Sequence, residues 1–308
     1  MKKPVYNLKF PSGCSSITIF SYRFIKIDGY PEQLQKLQHL ISYHADINIS
    51  ANTGQHAHTA FVEIPDTEQK TVFKWKDACS TALDDILLLL SLFTRRDVFA
   101  MEKGQENNVI LADPRVYDWG GILRVSIPYR KINQQETVED IYPCDIGFEE
   151  GLNQIYSLIR SEEWQNKYRG GYFLFLAKQA FHKQTLEASF TQCWTIWEHL
   201  FALLNDRWMS DDQIEKLNSV EKIAFLLTEY AIVGEIDDRS RERIRSLAKI
   251  RNRIVHNGRF PEKTVCDDAI LFIRLTEFII AKTLGLSPSN LFNTMERLEE
   301  FLRKNSKS

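Results

Sequence analysis

One short segment, Arg251-Asn252-Arg253-Ile254-Val255-His256, holds residue types that together can break a phosphodiester. A histidine takes up and returns a proton near neutral pH, as general acid/base chemistry requires. An arginine carries a permanent, forked positive charge suited to oxygens that become more negative in a transition state. Asn252 precedes His256 by four residues, so on a helix the two share a face and the amide is close enough to orient the imidazole. A titratable proton carrier and a fixed cation are the two requirements for cleaving a phosphodiester without a metal. Structural roles compete with this chemistry. A histidine in a last helical turn gains from the helix dipole, and Asn257-Gly258 after it reads as a helix stop.

These residues need a helix to position them, and the surrounding pattern predicts one over Asp238 to His256. At about 100° per residue, Ile244, Leu247, Ile250 and Ile254 fall on one side and face a core. Arg241, Arg245, Lys249, Asn252 and His256 form a stripe on the opposite side, where a solvated charged face is the plain structural reading. Arg251 projects at the margin of the apolar face, beside Ile244 and Val255, where a guanidinium needs a partner or a functional reason. A candidate partner is Glu198, at the edge of the apolar stripe Phe190, Cys193, Trp194, Trp197, Phe201 and Leu204 in "FTQCWTIWEHLFALL". A Glu198 to Arg251 ion pair would fix the arginine, or simply set helix register.

The whole chain of 308 residues is near neutral, with a formal net charge of -2. Its first 150 residues carry 16 basic and 20 acidic side chains and the rest 23 and 21, so neither half is a basic nucleic-acid-binding domain. Charge is local instead: Arg239 to Arg259 holds eight lysines and arginines against the single acid Glu242, a footprint that attracts a polyanion. The longest apolar run, Ile86 to Phe93, is far shorter than the roughly 20 residues that cross a bilayer, which predicts a buried helix and no membrane span. The basic start "MKKPVYNLKF" lacks an apolar signal core, and the five scattered cysteines lack paired spacing. Both features point to a cytoplasmic chain without structural zinc or a disulfide framework.

Other chemistry is weakly represented. Asp66, Glu68 and Lys70 in "IPDTEQK" alternate like a metal-nuclease set, but they lie too close together and read as charged turn residues. His56 and His58 read as a strand end rather than a metal pair. The acidic pairs Asp84-Asp85, Asp211-Asp212, Asp237-Asp238 and Asp267-Asp268 mostly fall at expected helix starts, where capping explains them. No phosphate-binding glycine loop, zinc-protease pair or serine elbow is present.

Two parts differ in texture. Residues 1–148 read as an α+β domain: strand-like runs in "SSITIFSYRFIKIDGY", "ADINISANTG", "TAFVEIPDTEQKTVFKW" and "GILRVSIPYRKI", with one long helix over Asp77 to Arg95. Residues 149–308 read as an all-α bundle, with helices over Glu149–Ile159, Tyr172–Phe181, Leu186–Trp208, Val220–Tyr230, Asp238–His256, Thr264–Leu284 and Leu291–Lys304.

"RNRIVHNG" on a helix of such a bundle resembles the Arg-x4-His motif of HEPN domains, named for higher eukaryotes and prokaryotes nucleotide-binding. "FTQCWTIWEHLFALL" and "EKIAFLL" look like helices of the HEPN proteins of bacterial abortive-infection and anti-phage systems, over about residues 150 to 285. "DILLLLSLFTRRDVF" looks like the N-terminal region that accompanies some of them. The resemblance implies a HEPN-like C-terminal domain acting as a metal-independent endoribonuclease, a toxin or anti-phage effector that needs no cofactor. It implies a homodimer whose two motifs face one another in a composite site. His256 would be the general acid/base, Arg251 would stabilise the phosphoryl oxygens, and Asn252 would orient the histidine or bind phosphate. Glu198 would support Arg251, while Arg245, Lys249 and Arg253 would hold the RNA backbone. The products would be 2′,3′-cyclic phosphate and 5′-hydroxyl ends, and DNA would be spared. RNA such as tRNA or phage RNA, an antitoxin and a phage-derived trigger are the implied partners, with residues 1–148 as a sensing, regulatory or RNA-accessory element. A non-catalytic HEPN module that scaffolds RNA, nucleotide or a partner protein is the alternative.

Overall fold

The computed structural model describes residues 1–11, 13–30, 58–76, 79–94, 96–102, 147–181, 185–230, 237–260, 265–286 and 296–299, with backbone alone for several short strands between 47 and 141 and for residues 265–267. Its N-terminal part is a small antiparallel sheet. Strands β1 (Lys2–Tyr6), β2 (Ser16–Ile19), β3 (Tyr22–Lys26), β5 (His58–Glu63) and β6 (Phe99–Ala100) run in the order β2-β3-β5-β1-β6. Period-two patterning explains the strands: Ile17 and Ile19 on β2, and Tyr22 and Phe24 on β3, are buried while residues between them are not. Strand β4 (Ile47–Ser50) pairs antiparallel with β7 (Glu106–Val109). Two further short pairs are β8 (Val125–Ser126) with β11 (Asp140–Ile141) and β9 (Arg130–Ile132) with β10 (Gln135–Thr137).

Helix α1 (Ala82–Thr94) is buried on nearly every side, as its unbroken leucines predict. It starts five residues later than the sequence pattern suggests, because Thr81 caps its beginning through its backbone N–H and the Asp84 carboxylate, 2.7 Å apart. Of the strand-like run Thr59–Trp75, only the first part is strand: β5 ends at Glu63, and Thr71–Trp75 is loop. Asp85, fully buried, instead accepts from the Thr71 hydroxyl at 2.5 Å and the Val72 backbone N–H at 2.8 Å, and pairs with Lys76 at 3.0 Å. Those bonds hold the segment as a loop.

Mostly helices follow: α2 (Phe148–Ile159), α3 (Glu162–Lys167), α4 (Tyr172–Phe181), α5 (Leu186–Asn205), α6 (Asp211–Lys216), α7 (Ser219–Glu229), α8 (Asp238–Asn257) and α9 (Val265–Thr283). The helix expected over Leu291–Lys304 is described only at 296–299, which is helical; its other residues lie outside the described ones. Helix α5 is central and touches α4, α7, α8 and α9. Its buried Phe190, Trp194 and Trp197 surround Phe272 of α9 with ring centroids 5.2 to 5.4 Å apart. The Trp197 indole N–H donates to the Thr276 hydroxyl at 2.9 Å, so this core buries no unpartnered indole donor there.

Helix α2 begins where the sequence changes texture, and the buried hydrophobic cluster continues across that point from sheet to bundle. Polar clasps reinforce the junction. Asn153 of α2 donates to the Thr18 carbonyl and accepts from the Phe20 N–H, both at 2.7 Å. Trp75 donates to the Gly170 carbonyl at 2.9 Å. Among the described residues no helix is long and apolar enough to cross a membrane.

Candidate functional site

Helix α8 forms for the reasons its sequence offers. Ile244, Leu247, Ile250 and Ile254 are buried at three- and four-residue spacing, and the opposite stripe is exposed. Asp237 caps its start by accepting from the Ser240 N–H at 2.7 Å, which holds that carboxyl below the usual carboxylate range. Its end is set by Gly258, whose φ of 71° is the left-handed turn that glycine adopts freely, with its N–H bonded to the Ile254 carbonyl at 2.7 Å. His256 sits exposed in the last turn, and its side chain makes no hydrogen bond among the described residues.

Arg251 occupies the half-buried margin that helical geometry assigns to it. Its Nη1 donates to the Asn252 Oδ1 at 3.2 Å, and its buried Nε has no hydrogen-bond partner. Asn252 therefore serves the arginine, not the imidazole as expected from spacing. An amide oxygen is drawn to the neighbouring cation in preference to a solvated ring four residues away.

The expected Glu198 to Arg251 ion pair is also absent. Glu198 Oε1 accepts from the Trp194 indole N–H at 3.1 Å and from the Ser219 hydroxyl at 2.5 Å. Two donors close at hand, one a turn earlier on α5 and one at the start of α7, satisfy that oxygen without bringing the guanidinium across. Both charges nevertheless border one cleft of about 520 Å³. Trp194, nearly inaccessible, and Glu198 line it from α5. Arg241, Arg245, Arg251 and Asn252 line it from α8, and Asn218, Ser219, Val220, Glu221 and Lys222 line it from the start of α7, with Glu215 of α6 beside them.

The cleft thus gathers Glu198, Arg245, Arg251 and Asn252 of the expected set, whereas Lys249, Arg253 and His256 lie exposed on α8 outside its lining. Ser219 and Asn218 were not singled out by spacing. The signal for them was the cap itself, since Asn218 accepts from the Glu221 N–H at 3.0 Å and starts α7. The cations are only lightly engaged within the chain: Arg245 reaches Glu242 at 3.4 Å, an exposed pair of little strength. Two kinds of polar group therefore face the same space, guanidinium groups that take anions and a carboxylate edge that takes N–H donors.

His58 packs edge-on against Phe61 and Tyr6, with ring centroids 4.7 and 6.2 Å away, and His56 lies outside the described residues. No group of three or more metal-ligating side chains occurs among the described residues. A different histidine, His199 of α5, is half-buried with its ring edge-on to Tyr172 at 6.2 Å. Burial, and then the Arg169 charge, hold its pKa below the ordinary value.

No family model, no curated protein and no solved structure matches this chain.

Proposed function

We propose that the chain is a metal-independent endoribonuclease of the HEPN type, acting in the cytoplasm as a toxin or anti-phage effector. The observation that carries this reading is Arg251: a half-buried guanidinium with no acidic partner among the described residues, lining a cleft and five residues from the exposed His256. A cation left unpaired at such a place has its charge available for a phosphate. The basic outer face of α8, with Arg245, Lys249 and Arg253, supplies further backbone contacts.

In the proposed reaction His256 takes the proton of a ribose 2′-hydroxyl, whose oxygen attacks the adjacent phosphorus. The bond from phosphorus to the 5′-oxygen breaks, and that oxygen leaves with a proton returned by a histidine imidazolium of the composite site. Arg251 stabilises the charge that grows on the phosphoryl oxygens. Arg251 and His256 diverge by about 140° on one helix, so a second copy facing the first would complete the set, and a homodimer is part of the proposal. The scaffold reading is favoured by one observation, that His256 is not among the residues lining the cleft.

The test is incubation of the protein and its Arg251→Ala and His256→Ala variants with total tRNA and mixed RNA in EDTA, with product ends mapped. Cleavage by the parent alone, leaving cyclic phosphates, is expected. Absence of cleavage in every sample, with infected-cell extract added as activator and magnesium restored, would favour the scaffold.

A further inference from the structure

We infer that Glu198 reads a nucleobase, and that the cleft prefers a nucleotide whose base carries an exocyclic amino group over one bearing uracil. This inference rests on the reading of the site as one that binds RNA, and names what the cleft selects.

The geometry of the carboxylate is the starting point. Both protein donors, the Trp194 indole and the Ser219 hydroxyl, fall on Oε1. Oε2 receives no hydrogen bond among the described residues, and Glu198 borders the cleft. The two bonds lock the side chain, so an acceptor is held in a fixed direction without being neutralised by Arg251. A cavity of about 520 Å³ is within the range of small-molecule pockets and holds one nucleotide, but no duplex enters it. The lining cations Arg241, Arg245 and Arg251 suit the nucleotide's phosphate, while the Glu198 carboxylate does not.

What does suit a fixed carboxylate oxygen is an N–H donor. Adenine, cytosine and guanine each present an exocyclic amino group on the edge that an unpaired base exposes. Uracil presents carbonyl oxygens at the corresponding positions, flanking one N–H, and these meet the carboxylate as acceptor against acceptor. A buried polar mismatch of that kind is what gives hydrogen-bonding sites their discrimination. The base must leave any stack to enter the cleft, so the preferred RNA is unpaired there.

The test uses the full chain carrying His256→Ala, so that binding is read without cleavage. Fluorescence anisotropy is measured with labelled oligocytidylate and oligouridylate of equal length, and competition with CMP and UMP. Cytidine oligomers are expected to bind at least tenfold more tightly than uridine oligomers. Glu198→Gln keeps an oxygen for Trp194 and Ser219 and turns an amide N–H₂ toward the base, so it should erase or reverse the preference. A role for Glu198 in helix packing alone would weaken both oligomers equally. A preference seen with CMP over UMP but not with the oligomers would keep the base-reading chemistry and assign the cleft to a free nucleotide. Equal binding of all probes, or a preference untouched by Glu198→Gln, would overturn the inference while leaving the nuclease reading standing. Lack of RNA cleavage by the parent, with the base preference intact, would do the reverse.

Discussion

The loop before α1 and the cleft between α5 and α8 each bring a carboxylate and a cation to the same neighbourhood, and of these two only the first closes. Around α1, Asp85 is fully buried and bonded to Thr71, Val72 and Lys76, and the Lys76 ammonium also lies over the Phe73 and Trp75 rings at 5.3 and 5.6 Å. Burial pushes the Lys76 pKa down and the Asp85 carboxylate opposes that push. At the α5–α8 cleft, Glu198 and Arg251 share a border without meeting, and the arginine keeps a buried Nε unpartnered. Closed pairs fix a fold; an open one leaves interaction energy for something that binds. The Asp85 cluster ties a loop in place, whereas at the cleft Arg251 meets only the neutral Asn252 amide.

The sharpest way to break that contrast is to remove the open set. His256→Ala and Arg251→Ala should each lower RNA cleavage about 10²- to 10⁴-fold, the usual range for a general acid/base. Thermal unfolding of His256→Ala should stay within about 0.5 kcal/mol of the parent, as for exposed substitutions in general. A large loss of stability would place the histidine with the closed class.

Asp85→Ala should do the opposite. Removing one partner of a buried pair leaves the other uncompensated and costs about 3 to 5 kcal/mol, read from urea unfolding. Residual cleavage per folded molecule should be unchanged. A smaller relative of the same test is Thr276→Val, which strips the Trp197 indole of its acceptor in the core and should cost about 1 to 3 kcal/mol. If Thr276→Val is silent, the aromatic cluster around Phe272 stabilises by packing alone.

The outer face of α8 should show itself in salt dependence. Lys249→Ala and Arg245→Ala should weaken binding of any single-stranded RNA alike, each lowering the slope of log K against log salt by about 0.7. A loss confined to one sequence would instead place the changed residue against a base.

Much of this layout can be read in the chain, and the failures have a common physical cause. Helix α8 was legible because its isoleucines and Leu247 repeat at helical spacing and Asp237 and Gly258 bracket it. The sheet was legible where Ile17, Ile19, Tyr22 and Phe24 alternate. Thr71–Trp75 has the composition of a strand, yet its backbone is bound by a carboxylate 13 residues further on, a tertiary contact that periodicity does not report. Glu198 failed in the same way. Helical phase puts it near Arg251, but its partner Ser219 comes from a separate helix, and the N-terminal cap that places Ser219 carries no mark of what lies opposite. Spacing names the residues on a face; which donor reaches an oxygen first depends on the third element packed there.

The smallest expected effect concerns His199, which distinguishes a buried titratable group from the exposed one at the end of α8. Its folded pKa is lowered from 6.5 by burial and by Arg169, so the unfolded chain binds a proton more readily than the folded one does. The stability it contributes is complete above about pH 6.5 and is lost as the pH falls through that value toward the lowered folded one, below which no further loss arises from this group. Asp237, whose carboxyl is held low by its cap on α8, loses its contribution in a more acidic window, so the two can be separated. Unfolding of the parent between about pH 7.5 and 5.5 should therefore show a decline that His199→Gln reduces. Should His199→Gln leave the curve unchanged, the decline would come from other groups, and burial of this ring on α5 would carry no pH dependence of its own.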